Sequence, residues 1–205
     1  MITSFILTGA IFGFTAGISP GPLLTLVIAE SIRHNRKEGI KVALAPLVTD
    51  LPIIALAFFI LSRLSQFSIL LGVISLSGGL FIAWLGYECL RSKGLAVDMQ
   101  HFKPASLKKG IIANILNPHP YLFWVTVGIP IVIKAYETNV GAVLLFFLSF
   151  YVFLLGSKIG VAILADKTRA LLNSRIYIWI MRILGMALFV FAILFIVEGI
   201  KTLTL

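Results

Sequence analysis

The chain is 205 residues long, 60% hydrophobic and 12% charged, with a formal net charge of +9 and a mean hydropathy of +1.07. Soluble domains average about 45–50% apolar and about 25% charged residues, so this composition excludes an ordinary soluble domain and points to a membrane protein with short connections. The basic excess does not indicate nucleic acid, because the charges cluster between apolar segments, and the single cysteine, Cys89, excludes an internal disulfide and two-thiol redox chemistry within one chain.

A membrane-spanning helix needs about 20 mostly apolar residues. The first such segment runs from about Ile2 to Ala29 without a charge, and no Lys or Arg precedes Arg33. It is read as a retained first helix rather than a cleaved signal. Being longer than one crossing requires, it is tilted, broken or partly interfacial. The second segment, about Val42 to Leu61, contains Asp50, and the third, Leu64 to Tyr87, is uncharged. The fourth covers about Gly110 to Ile133, and the fifth covers Val140 to Leu164 with Lys158 inside it. The sixth, about Ile176 to Ile200, carries Arg182 near its start and Glu198 near its end. The expected fold is all-α: a single membrane domain over 1–205 with six transmembrane helices.

The connections alternate in charge. Those after the first, third and fifth segments hold 12 Lys and Arg, whereas the opposite side holds three: Arg63, Lys134 and Lys201. The positive-inside rule then places the basic connections in the cytoplasm and both termini outside a plasma or inner membrane. The longest connection, about 88–109, divides the chain into halves of three helices, about 1–90 and 110–205. Three is odd, so the second half enters the membrane oppositely oriented, giving a 3+3 inverted repeat.

Both halves contain a Pro-x-Pro element within an apolar segment, Pro20-Gly21-Pro22 and Pro118-His119-Pro120. Proline lacks an N–H and clashes with the preceding turn, so each element predicts a broken helix. Paired breaks at matching positions are the strongest sequence pointer to a transport site. The carbonyls of Ala16, Ile18, Asn114 and Leu116 lose their regular donors and become candidate acceptors for an ammonium. With Pro22 and Pro120 as first helical residues, the amides of Leu23, Leu24, Tyr121 and Leu122 become candidate anion sites. Together these groups suit an amino-acid zwitterion. Simple kinks are the alternative reading of the same prolines.

Buried charge is costly in a membrane, so Asp50 reads as a proton-exchanging group, a partner for a cationic substrate group, or half of a structural pair. Lys158 has three readings: pairing with Asp50, attracting an anion, or snorkelling to the surface near Asp166. Asn114 and Asn117, three residues apart, are placed on one helix face, lining a cavity or bonding between helices. Ser19 precedes the first break and His119 sits inside the second; His119 is either a titrating group or a local hydrogen-bonder. Gly78-Gly79 could support close helix contact within the chain or in a homo-oligomer. No metal-ligand cluster, cofactor motif, nucleotide-binding loop or hydrolase signature is present in the sequence, so a non-enzymatic carrier driven by an ion or solute gradient is expected. Alternatives are a cation or metal exporter of the same architecture and a non-transport membrane assembly protein.

Ser19-Pro20-Gly21-Pro22, Arg36-Lys37-Glu38-Gly39 and Asp50 resemble the amino half of the LysE/RhtB family of amino-acid exporters. Gly110, Asn114, Asn117 and Pro118, followed by Phe123 and Pro130, resemble its second-half signature. The resemblance implies a six-helix carrier exporting amino acids or related small solutes against protons. It also implies functional weight for Pro20, Gly21, Pro22, Asp50, Asn117 and Pro118. Three departures fall near the expected cavity: Ala45-Pro46 and Thr49 where glycines are common, His119-Pro120 after the Asn-Pro pair, and Lys158.

Overall fold

A computed structural model describes residues 2–60, 67–93, 104–169 and 174–204. The predicted junction of the second and third spans, with Arg63, lies outside these residues, as do Lys103 and much of the predicted 88–109 connection. The described residues form helices and no strand: α1 (Ile2–Ile18), α2 (Pro22–Arg33), α3 (Arg36–Ala43), α4 (Ala45–Ile60), α5 (Phe67–Leu90), α6 (Ser106–Ile115) and α7 (Pro118–Phe123). A π-helical turn at Trp124–Gly128 follows, then α8 (Ile129–Thr138), α9 (Val140–Arg169) and α10 (Ser174–Thr204).

Four stretches are long and apolar enough to cross a membrane, namely Arg36–Phe58, Leu71–Leu90, Val140–Thr168 and Arg175–Thr204. Two bent pairs bring the number to six: Thr3–Ile18 with Pro22–Arg33, bent by 61°, and Ser106–Ile115 with Pro118–Thr138, bent by 52°. The chain is therefore a multi-pass membrane protein, and both bends fall at the prolines that predict them. Large apolar side chains such as Leu51, Leu80 and Leu144 face outward, as lipid contact requires, while polar groups collect inside.

Several boundaries differ from the sequence reading. The second span starts at Arg36, not Val42, because the Asn35 side chain caps α3 by accepting from the amides of Lys37 (2.9 Å) and Glu38 (3.3 Å). Arg36, Lys37 and Lys41 thus ride on a helix rather than a loop. The π-turn has a local cause: Pro130 cannot donate to the Thr126 carbonyl, and the Ile129 amide bonds to Trp124, five residues back.

Glycine sets the closest packing. On α1, Gly9, Gly13 and Gly17 recur every fourth residue and face α9. A Cβ on Gly13 would collide with the Phe150 carbonyl, and one on Gly9 would lie 2.6 Å from that of Phe146. In hydrocarbon, where helices gain nothing from excluding water, such close backbone approach is a main source of association. The α5–α10 pair uses the same device: a Cβ on Gly86 would lie 3.0 Å from the Gly185 carbonyl, and one on Gly199 3.0 Å from that of Gly72. Gly79 meets Ile196 and Ala192 of α10, and Gly78 meets the Leu116 carbonyl, so this glycine pair makes its close contacts within the chain.

Candidate functional site

The two proline breaks, α4 and α9 enclose a cavity of about 530 Å³. Ser19, Pro20, Gly21, Pro22, Asp50, Asn114, Asn117, His119, Pro120 and Lys158 all line it. Pro118 is not among the lining residues and is buried at the start of α7, and Ile18, Leu116 and Tyr121, whose backbone groups the sequence makes candidates, do not line the cavity either. Leu122, Phe123, Trp124, Phe150 and Leu154 supply an apolar and aromatic wall. Phe123 stacks on Phe150 at 5.5 Å between centroids, and Trp124 packs edge-on against Phe150 at 5.4 Å.

The two breaks are not equivalent. Pro22 opens α2 behind Gly21, and no side chain caps that end. The Leu23 and Leu24 amides, both on cavity-lining residues, keep the donor capacity of a helix N-terminus. In the second break the helix starts at Pro118, not Pro120, so the structural partner of Pro22 is Pro118. Pro118 and Pro120 both sit in the first turn, where a missing N–H costs little. The intervening His119 amide is already bonded to the Asn117 side chain at 3.0 Å. With the helix starting two residues earlier, the Tyr121 and Leu122 amides expected to form the second anion site fall beyond the free N-terminal amides of the helix, and the one amide between the two prolines is capped. Asn114 and Asn117 do not share a helix face either: Asn114 belongs to α6, which ends at Ile115, and Asn117 caps α7. His119 is exposed, with its ring edge-on to Phe195 at 5.7 Å.

Asp50 is 4% exposed, and its hydrogen-bond donors among the described residues are neutral. Asn114 Nδ2 donates to Oδ1 and the Tyr151 hydroxyl to Oδ2, both at 3.2 Å, and the buried Trp124 side chain also reaches the carboxylate. Asn114 Nδ2 is fixed in turn by Thr49 Oγ1 at 2.6 Å. Lys158, also 4% exposed, does not snorkel. Its Nζ donates to the carbonyls of Gly17 (3.1 Å) and Ala16 (3.4 Å) at the end of α1. Among the described residues, Asp50 and Lys158 form no direct ion pair; they act on each other across a longer distance. Of the two carbonyls expected to receive a ligand ammonium at the first break, Ala16 and Ile18, that of Ala16 is thus bonded to a side-chain ammonium, which also takes the unpredicted Gly17 carbonyl, and Asp50 is the carboxylate left facing the cavity.

A second polar cluster lies farther along α2. Glu30 is six residues beyond cavity-lining Leu24, or about 9 Å along a helix. Arg33 Nη1 donates to Glu88 Oε1 at 2.6 Å, and Lys109 bridges Glu88 (2.6 Å) and Glu30 (3.1 Å). The Ser106 hydroxyl donates to Glu30 at 2.5 Å. The cluster joins the last turns of α2 and α5 to the first turn of α6, and all five residues are buried. Burial, reinforced by the nearby Arg33 and Lys109, holds the His34 imidazole below its usual range despite Glu30 at 3.8 Å. The sequence reading missed this cluster, because Arg33 and Lys109 stand among basic residues that look solvated. The available signal was an acidic residue, Glu30 or Glu88, directly after the first and the third apolar run. Tyr151, 101 residues from Asp50, had no such signal.

A family model described as LysE type translocator matches residues 14–199 of the chain. The chain is also similar to the leucine efflux protein of Enterobacter sp. (strain 638), at 27% identity over 140 residues, covering 65% of this chain and 66% of the relative. It therefore spans just under two thirds of that relative's length. No solved structure matches the chain.

Proposed function

The chain belongs to the LysE type translocator family, and on that premise we propose that it is a secondary carrier exporting amino acids with apolar side chains. The observation carrying this reading is the division of charge in the cavity. Uncapped α2 amides can receive a carboxylate, Asp50 with its neutral donors can receive an ammonium, and Leu122, Phe123, Phe150 and Leu154 offer an apolar surface to the side chain. Such sites are mostly apolar with a few placed polar groups. The relative named for leucine efflux supports both the substrate class and the direction.

The carrier exchanges its solute for protons, with Asp50 as the group that alternates between proton and substrate ammonium. Its two halves are inverted repeats, its termini lie outside, and the Glu30–Arg33–Glu88–Lys109 cluster stands at the cytoplasmic end. The basic excess in alternate connections supports that orientation. Counterflow in proteoliposomes with a panel of amino acids and divalent cations tests the substrate class, and an imposed pH gradient tests the coupling. Leucine-like solutes should exchange and accumulate toward the acidic side. Exchange of divalent cations alone would refute the reading, and exchange indifferent to a pH gradient would refute the proton step.

A further inference from the structure

The first break contains an ammonium that the exporter reading does not use. Helix α1 stops at Ile18, part-way along the first span, so the carbonyls of its last turn have no intrahelical donors. They also form the negative end of the helix dipole. In carriers with broken helices, such carbonyls are where a coupling cation is coordinated. Here Lys158 Nζ lies 3.1 Å from the Gly17 carbonyl and 3.4 Å from that of Ala16. The side chain is buried, and no carboxylate lies within ion-pair distance of it among the described residues. A buried lysine that donates to two backbone carbonyls is poorly explained as a snorkelling or ion-paired residue. It is well explained as an occupant of a cation site.

We infer that Lys158 is the resident cation of the first break, its ammonium filling from within the chain the carbonyl site that a metal cation such as Na⁺ would otherwise take. The packing supports this placement. Gly17 lets α9 approach so closely that a Cβ there would strike the hydroxyl of Ser157, the residue before Lys158. The charge cannot leave, so the carrier needs no monovalent metal at this position. The break acquires a fixed half, α1 clamped to α9, and an open half, the uncapped start of α2. Lys158 is in this sense a positioning residue, and its role does not depend on which solute moves.

Chemical rescue tests the inference. Wild-type protein and Lys158→Ala are compared in choline, sodium and methylammonium chloride at equal ionic strength, reading melting temperature in detergent and amino-acid counterflow in proteoliposomes. The wild type should behave alike in all three salts. Lys158→Ala should melt lower and exchange about tenfold more slowly in choline, since a charge at a helix end has lost its partner. Methylammonium, small enough for the vacated space, should raise its melting temperature by binding the folded state, with Na⁺ acting in the same direction. The size-matched Lys158→Met removes the charge without opening space; it should melt below wild type and not respond to methylammonium. It also carries the test should Lys158→Ala not fold. Wild-type melting in choline for either variant, or a destabilised Lys158→Ala indifferent to both small cations, overturns the inference. Equal methylammonium stabilisation of the two variants also overturns it. If the wild type moves no amino acid, the exporter reading fails while the melting data still decide this one.

Discussion

The two buried polar clusters use similar residues to different ends. In the Glu30–Arg33–Glu88–Lys109 cluster each carboxylate meets a cation, Lys109 bridges both acids, and Ser106 fills a further acceptor site. In the cavity, among the described residues, Asp50 meets neutral donors and Lys158 donates to carbonyls. The first cluster is ion-paired and ties three helices together at one end of the bundle. The second keeps an anion and a cation apart around an open volume. Buried charge marks function in a membrane protein by default. The contrast refines that rule: charges that satisfy each other build the frame, and charges held apart leave room for a ligand.

The largest effect expected from this contrast is on the ion-paired side. Arg33→Met removes one of the two cations on Glu88 and leaves Lys109 as the other, so the cost approaches but does not exceed about 3–5 kcal/mol, that of a buried charge left wholly unpaired. The loss should appear as a large drop in detergent unfolding stability, and pairing it with Glu88→Gln should restore part of it. A neutral Arg33→Met would mean that the cluster is not the frame. Next comes the wall that holds Lys158 in place. Gly13→Leu forces side-chain volume against the Phe150 carbonyl, and overpacking of this kind costs about 1–3 kcal/mol. It should lower both stability and transport, whereas the same change at Gly156, which has open space around it, should leave stability unchanged. The smallest effect sharpens the difference between the breaks. Asn117→Ala removes the cap of α7, worth about 1 kcal/mol, and Asn117→Asp should retain it. A large transport defect in Asn117→Asp at wild-type stability would give Asn117 a role beyond capping.

The all-α fold, the proline bends and most of the cavity lining were legible in the sequence because they follow from local rules. Apolar run length marks a span, and a proline inside such a run marks a break. What lay beyond reach depended on register and on distant pairing. The choice between Pro118 and Pro120 as first helical residue turned on the Asn117 side chain, which both caps α7 and uses up the His119 amide. The end of α1 looked like a vacant ammonium site because nothing in the sequence shows that a lysine 141 residues away reaches the Gly17 carbonyl. Arg33 and Lys109 resembled ordinary loop charges because their partners come from other helices.

The central claim is that Asp50 is the cavity anion that a substrate ammonium meets, and that it is not part of the frame. Leucine counterflow by Asp50→Asn, measured beside its melting temperature, tests this directly. No ion pair is broken and asparagine keeps one acceptor oxygen for the two donors, so stability should shift by at most about 1.5–3 kcal/mol, the range for a hydrogen bond to a charged group, while exchange should fall by at least about tenfold through loss of the charge-assisted contact. Asp50→Asn exchanging leucine at the wild-type rate would contradict the account. So would an Asp50→Asn protein whose stability collapses as far as that of Arg33→Met.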